Sequence, residues 1–265
     1  MNPDELLRRY DEQLRAEAEV YDADEVVRIG PLLAASFPKR GRGFVTYREI
    51  PTWLDLAPLV ARVVQHYASD ARIDHFEWKT RGHDPLPELR GLLEGAGFVF
   101  EDEETVMAGT MEAVIAAGSG LPAGYSLERA DGQEQLRAAE ALAGDVFGDA
   151  PGDSLRRADE LVARFEADPD SFEMWLVRDG SGEVVCSGRV DFVPGTDFAG
   201  LWGGACDEHH RGKGLYRAIT AERARSAKAH GKNYLQSDCT EYSRPILARA
   251  GLVPITTTTP AVWHR

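Results

Sequence analysis

Residues 207–218 read "DEHHRGKGLYRA" and hold Arg211, Gly212, Lys213 and Gly214 between an apolar run, "FAGLWGGAC" (198–206), and a helix-like run from Leu215 to His230. The first N–H groups of a helix have no partner within the helix and point outward at the positive end of its dipole. Glycine lets that backbone approach a ligand without a Cβ in the way. Arg211 and Lys213 add positive charge, so the combination suits a pyrophosphate. A Walker loop would need Gly-x-x-x-x-Gly-Lys-Ser/Thr, and here Lys213 is followed by Gly214. A dinucleotide fingerprint would need a third glycine where Arg217 stands.

Upstream of this stretch the chain reads as strands and helices in a fixed order. "YSLERA" (125–130) is a strand. Asp131 is the expected cap of a helix with Leu136, Leu142, Val146 and Phe147 on its apolar side, and a second helix carries Leu161, Val162 and Phe165. Three strands follow: "FEMWLVR", "EVVCSGRVDFV" and "FAGLWGGAC", joined by "DGSG" and "PGTD". Joints this short predict an antiparallel meander. Downstream, the helix from Leu215 is stopped by Gly231. "NYLQSD" is a strand, "SRPILARAGL" a short helix with a glycine stop, and "VPITTTTPAVW" an extended tail. The whole is α+β with one β-α-β crossover.

The N-terminal part is separated by "AAGSGLPAG" (116–124), the best linker in the chain. Before it, Asn2 caps a helix with Pro3 at its first position and Leu6, Leu7, Tyr10 and Leu14 on one face. "KRGRGF" (39–44) reads as a loop. A second helix, with Thr52 as its expected cap, runs through Leu56, Leu59, Val60, Val63, Val64 and Tyr67. "HFEWKT" is a strand, a helix around Leu92 and Leu93 stops at "GAGF" (95–98), and "VFEDEETVMAG" is a strand-like tail. The ending of this half matches that of the other: "GAGF" aligns with "RAGL" (249–252), and Leu92 and Leu93 with Ile246 and Leu247.

Composition bounds the function. The 265 residues are 43% hydrophobic and 28% charged, which suits one large or two small globular domains, and the net charge is -14. An acidic chain is a poor match for nucleic acid or an anionic membrane. Cys186, Cys206 and Cys239 are odd in number and unpaired in spacing, so neither a disulfide framework nor a zinc site is expected. His209–His210 has no partner at i+4, which leaves no metal site. "MNPDELLRRYDEQL" is charged from the start and no apolar run approaches the ~20 residues of a membrane span, so a cytoplasmic location is expected.

The opening stretch resembles the acyl-CoA-binding signature of the GCN5-related N-acetyltransferases (GNATs), Arg/Gln-x-x-Gly-x-Gly/Ala. Arg211 and Gly214 match it, and Tyr216 stands at the last position in place of Gly or Ala. Residues 125–265 also have that family's element order. The resemblance implies a mixed, mostly antiparallel sheet flanked by helices, in two related halves. The expected domains are a degenerate GNAT-like unit at 1–116, a linker at 117–124 and an acetyltransferase domain at 125–265. It also implies that the strand before the loop splays from its neighbour. Cys206 and Asp207 would then offer backbone to the pantetheine arm of acetyl-CoA, and the N–H groups of Gly212, Lys213, Gly214, Leu215 and Tyr216 would hold phosphate beside Arg211.

The implied reaction is direct acetyl transfer from acetyl-CoA to an amine, on a small molecule or a protein amino group. Self-association into a homodimer is left open. A non-catalytic CoA-binding or partner-binding module is the alternative. The amine must be neutral to attack, which at pH 7 costs about 4–5 kcal/mol for a lysine-like group. A carboxylate base relieves this, and Asp191 is the candidate, with Glu173 behind it. Many family members protonate the thiolate with a tyrosine in the last short helix, a position that Leu247 takes here. Tyr242, just ahead of that helix, and Tyr216 are the replacement candidates.

Overall fold

Two sheets form, and each takes one strand from the other half of the chain. The structure is a computed structural model that describes residues 2–265. The N-terminal half contains α1 (Pro3–Gln13), β1 (Glu25–Ile29), β2 (Leu32–Phe37), β3 (Arg42–Tyr47), α2 (Leu56–Ala68), β4 (His75–Lys79), α3 (Leu89–Gly95), β5 (Val99–Phe100), β6 (Glu104–Thr110) and α4 (Met111–Ala117). The C-terminal half contains β7 (Ser126–Arg129), α5 (Gln133–Phe147), α6 (Pro151–Ala167), β8 (Phe172–Arg178), β9 (Val184–Phe192), β10 (Phe198–Cys206), α7 (Leu215–Ala229), β11 (Tyr234–Cys239), α8 (Arg244–Arg249), β12 (Val253–Thr258) and β13 (Pro260–His264).

The six-stranded sheet has the order β1-β2-β3-β4-β13-β5, and the seven-stranded sheet β12-β6-β11-β10-β9-β8-β7. The expected meander is present: β8, β9 and β10 pair antiparallel in sequence, and α7 makes the crossover that sets β11 parallel to β10. The repeat is structural. In the first half β4, α3 and β5 follow one another, and in the second β11, α8 and β12 do the same. Leu93 and Leu247 dock the two short helices, each buried.

The last strand of each half crosses over. β6 inserts between β11 and β12, antiparallel to both, with Thr105 opposite Cys239 and Thr257. Reciprocally, β13 inserts between β4 and β5, with Ala261 opposite Trp78 and Phe100. α1 covers the exchanged strand: Leu6, Tyr10 and Leu14 pack with Val106, Ala108, Phe198 and Tyr234. The boundaries 1–116, 117–124 and 125–265 therefore divide the chain at a turn but do not divide the sheets.

The threonine run makes the crossing. The tail expected as one extended segment breaks at Thr259, where Thr258 Oγ1 donates to the Thr80 carbonyl at 2.7 Å and Thr80 Oγ1 donates to the Thr259 carbonyl at 2.7 Å. Both hydroxyls thus pin the two sheets together at the point of exchange.

Several local expectations change. Asn2 caps α1 as read, accepting from the Glu5 N–H at 2.8 Å. The cap of α2 is Asp55, not Thr52: a turn closes from the Leu54 N–H to the Pro51 carbonyl, and Asp55 Oδ1 then accepts from the Ala57 N–H. Gly132 rather than Asp131 precedes α5, and the Asp131 carboxylate accepts instead from the Gln135 amide. "KRGRGF" is not a loop throughout. It turns at Pro38–Arg40 and enters β3 at Arg42.

Candidate functional site

β10 and β11 are paired only at Phe198–Tyr234, Ala199–Leu235 and Gly200–Gln236. Beyond Gly200, β10 stays with β9 and parts from β11, so the parallel pair opens. An irregularity between Trp202 and Ala205 bends β10 at this point, and Gly203 there has φ +58°, a left-handed conformation that a side chain would strain. Ser237 Oγ donates to the Leu201 carbonyl at 3.1 Å and spans the opening near its start.

Two of the expected pantetheine contacts separate here. The Asp207 N–H donates to the Val185 carbonyl at 2.9 Å, so it belongs to the β9 side and is not available to a ligand. Antiparallel strands alternate which groups face the partner, so the backbone of Cys206 faces the open side. Its carbonyl already accepts from Arg211 Nε at 3.0 Å. Arg211 thus ties the loop to the end of β10.

The loop has the form its glycines imply. After a turn at Glu208–His210, Gly212 (φ +76°) and Gly214 (φ +85°) both take left-handed backbone, and Gly214 is the cap from which α7 starts. The N–H groups of Gly212, Lys213, Gly214, Leu215 and Tyr216 donate to no protein group among the described residues. Successive N–H groups left free at a helix start form an anion cradle, and these residues fit a pyrophosphate. The linker lies over it. Tyr125 joins Lys213 Nζ (3.0 Å) and His210 Nδ1 (3.0 Å), and Ser119 Oγ receives a hydrogen bond from Arg217 Nε at 3.4 Å.

On the other side of the opening is a cavity of about 520 Å³ between the two sheets, in the usual range for small-molecule sites. Trp202 of β10 and Gln236 and Asp238 of β11 form its wall at the opening, Glu104 of β6 lines it beside β11, and Glu77 and Lys79 line it from β4 of the other sheet. Lys79 Nζ binds Asp238 at 2.6 Å, and Glu77 pairs with Arg42 at 3.2 Å. Burial pushes the Glu77 carboxyl above the ordinary glutamate range. Glu104 is also pushed up, by burial first and then by the neighbouring Asp238 charge. A carboxylate raised in this way is a stronger base near neutral pH.

The expected catalytic residues fall in different places. Asp191 lines the cavity but is clamped by Arg189 Nε at 2.8 Å and Arg164 Nη1 at 3.1 Å. Both of its carboxylate oxygens are thus taken up by arginines and neither is left free for an incoming amine. Glu173 does not line the cavity. It is buried against Arg129, Trp175 Nε1 and Ser226 of α7. Tyr242 is 91% exposed and outside the cavity. Tyr216 lies under the β10 bend, with the Arg223 guanidinium 5.4 Å from its ring centre, and is not part of the cavity wall either. Leu247 is buried in the core that docks α8 and presents no polar atom. The cavity's phenols are Tyr10 and Tyr21, both made weaker acids by burial.

Glu104 was not legible as a site residue. Its segment, "EDEET", has the look of a solvated charge run, and only the strand exchange carries it to the cavity wall, beside β11.

In the other half a buried arginine engages the end of β3 at the equivalent place. β3 and β4 pair from Arg42–His75 to Val45–Trp78, and the next carbonyl outward that is engaged, that of Tyr47, accepts from the buried Arg15 Nε at 3.3 Å. Arg15 also holds Asp84 through two bonds of 2.9 Å. The connection from β3 to α2, residues 48–55, contains no glycine.

Solved structures share this fold. A GCN5-related N-acetyltransferase from Kribbella flavida superposes with TM-score 0.70 at 16% identity, over 98% of this chain and 95% of that one. The fold is that of the GCN5-related N-acetyltransferases. A second GNAT, from Sphaerobacter thermophilus, gives TM-score 0.64 at 16% identity, over 88% of this chain and 76% of its own. A tandem GNAT protein from the clavulanic acid biosynthesis pathway gives 0.62 at 13% identity, over 88% and 78%. No family model and no curated protein matches the sequence. At these identities the likeness is one of fold, and it extends over nearly the whole chain.

Proposed function

We propose that the chain is an acyl-CoA-dependent N-acetyltransferase that moves an acetyl group from acetyl-CoA to an amine by direct transfer. One observation carries this reading: the strand pair opens after Gly200–Gln236, with the 212–216 cradle at one end of β10 and the 520 Å³ cavity beside it. The cradle would hold the pyrophosphate and the opened edge of β10 the pantetheine arm. The thioester would then reach the cavity near Trp202 and Asp238.

The chemistry assigns itself to cavity residues. The amine nitrogen attacks the thioester carbonyl, the carbon–sulfur bond breaks, and the sulfur leaves as thiolate. Glu104, the raised carboxylate, accepts the proton that the nitrogen sheds. Asp191 keeps Arg164 and Arg189 in place and shapes the wall. No cavity phenol is a good acid, so the thiolate takes its proton from solvent, which a leaving group near pKa 8.5 tolerates. The N-terminal half holds no CoA of its own, because Arg15 occupies its opening, and serves instead as the facing wall of the acceptor cavity.

Release of free thiol from acetyl-CoA on addition of an amine panel, followed with a thiol-reactive dye, tests this. Amine-dependent release supports transfer. Acetyl-CoA binding without release from any amine would leave the non-catalytic CoA-binding module as the correct reading.

A further inference from the structure

The charges lining the acceptor cavity do not cancel, and what is left over describes the acceptor. Six cationic side chains line the wall, and each already has a carboxylate. Arg40 pairs with Glu160 (3.5 Å), Arg42 with Glu77 (3.2 Å), Lys79 with Asp238 (2.6 Å), Arg157 with Glu140 (3.3 Å), and Arg164 and Arg189 both with Asp191 (3.1 and 2.8 Å). Two wall carboxylates, Asp22 and Glu104, have no hydrogen bond or ion pair among the described residues. They stand in different company. Glu104 neighbours Asp238, Lys79 and Glu77 on the β11 side of the cavity, whereas Asp22 neighbours Tyr21 and Arg164. Asp22 is exposed, at the rim, and Glu104 is half-buried.

We propose that the acceptor is a small di- or polyamine, with one amino nitrogen at Glu104 on the β11 side of the cavity and a second held as ammonium by Asp22. This rests on the acyltransferase reading and names its substrate class. An amine that also carries a carboxylate or phosphate meets no free cation on this wall. A simple apolar amine leaves Asp22 without a partner. A second ammonium meets Asp22 directly, and the net charge of -14 favours its approach. The two carboxylates do different work. Glu104 takes the proton of the reacting nitrogen, and Asp22 orients the chain of the acceptor.

The full chain is assayed with acetyl-CoA and three probes: spermidine, propylamine and glutamate. Spermidine is expected to exceed propylamine in kcat/KM by about tenfold or more, the scale of one charge-assisted hydrogen bond. Glutamate is expected to be the poorest. Asp22→Asn should lower the spermidine-to-propylamine ratio through KM rather than kcat, and Asp22→Glu should restore it. Calorimetry without acetyl-CoA gives an independent readout: spermidine binds saturably to the wild type and more weakly to Asp22→Asn. The inference is overturned if propylamine or glutamate is acetylated as efficiently as spermidine, or if Asp22→Asn leaves the ratio unchanged. If acetyl-CoA binds and another amine is acetylated, the substrate class alone falls. If acetyl-CoA does not bind, the acyltransferase reading falls and takes this inference with it.

Discussion

Separating the halves at the linker should unfold them, although the sequence marks it as the natural place to cut. A fragment of residues 122–265 retains the 212–216 loop and seven strands, but loses β6. That strand supplies six register pairs to β11, from Tyr234–Thr110 to Cys239–Thr105, and five to β12. Val106, Met107, Met111 and Val114, which lie on β6 and α4, are all essentially fully buried. At about 1.5–3 kcal/mol for each such side chain, their loss removes about 6–12 kcal/mol. Whole-domain stabilities are about 5–15 kcal/mol, so the deficit is comparable to everything that holds the fragment folded. The cut also bares the β-ladder groups of β11 and β12. Thermal melting followed by circular dichroism should show no cooperative transition for 122–265 alone. Co-expression with residues 1–121 should restore a one-to-one complex that melts cooperatively. A lone 122–265 fragment melting cooperatively within a few degrees of the whole chain would refute the reasoning, because the exchange would then carry little energy.

Gly214→Val should weaken acetyl-CoA binding by about tenfold or more, beyond the roughly 1–3 kcal/mol of stability lost to the φ of +85°; calorimetry beside a melt separates the two, and unchanged affinity rejects the cradle. Glu104→Gln should cut kcat by about 100-fold and abolish the acid limb of the pH–rate profile, which in the wild type falls as pH drops through the raised Glu104 value. The stability effect of that variant runs the other way. A carboxyl raised in the folded state contributes stability at low pH that is lost as pH rises through its folded value, so Glu104→Gln should raise Tm at pH 7. Arg15→Met should cost about 1–3 kcal/mol in urea unfolding by leaving the half-buried Asp84 without its partner, and the double variant Arg15→Met, Asp84→Leu should recover most of it.

What the sequence made legible was local. The 207–218 loop could be read because glycine, charge and a helix start coincide within a few residues. The β8–β9–β10 meander could be read from "DGSG" and "PGTD", whose turns fix antiparallel pairing. β2 is buried at every residue from Leu32 to Phe37, so it shows no alternation to find, and β1 to β3 escaped notice with it. The exchange of β6 and β13 was invisible for a different reason. Either sheet offers a strand between the same two antiparallel neighbours, so the apolar pattern of "ETVMAGT" or "PAVWH" is the same in both places. As a result the cavity takes carboxylates, Glu104 and Asp22, from the N-terminal side, which no pattern within residues 125–265 indicates, whereas Asp191 lies on β9, a strand legible within that half. Tyr242 is close to Leu247 along the chain, but the turn before α8 directs it to solvent.

We expect the glycine loop before α7, and no other place in the chain, to hold acetyl-CoA. Isothermal titration calorimetry of the full-length chain with acetyl-CoA tests it most directly. Saturable binding of one acetyl-CoA per chain is expected. Two equivalent sites would contradict the role of Arg15 in the N-terminal half, and no heat of binding at roughly millimolar ligand, where a complex of only about 4 kcal/mol would still form, would rule out the 212–216 loop as the acetyl-CoA site.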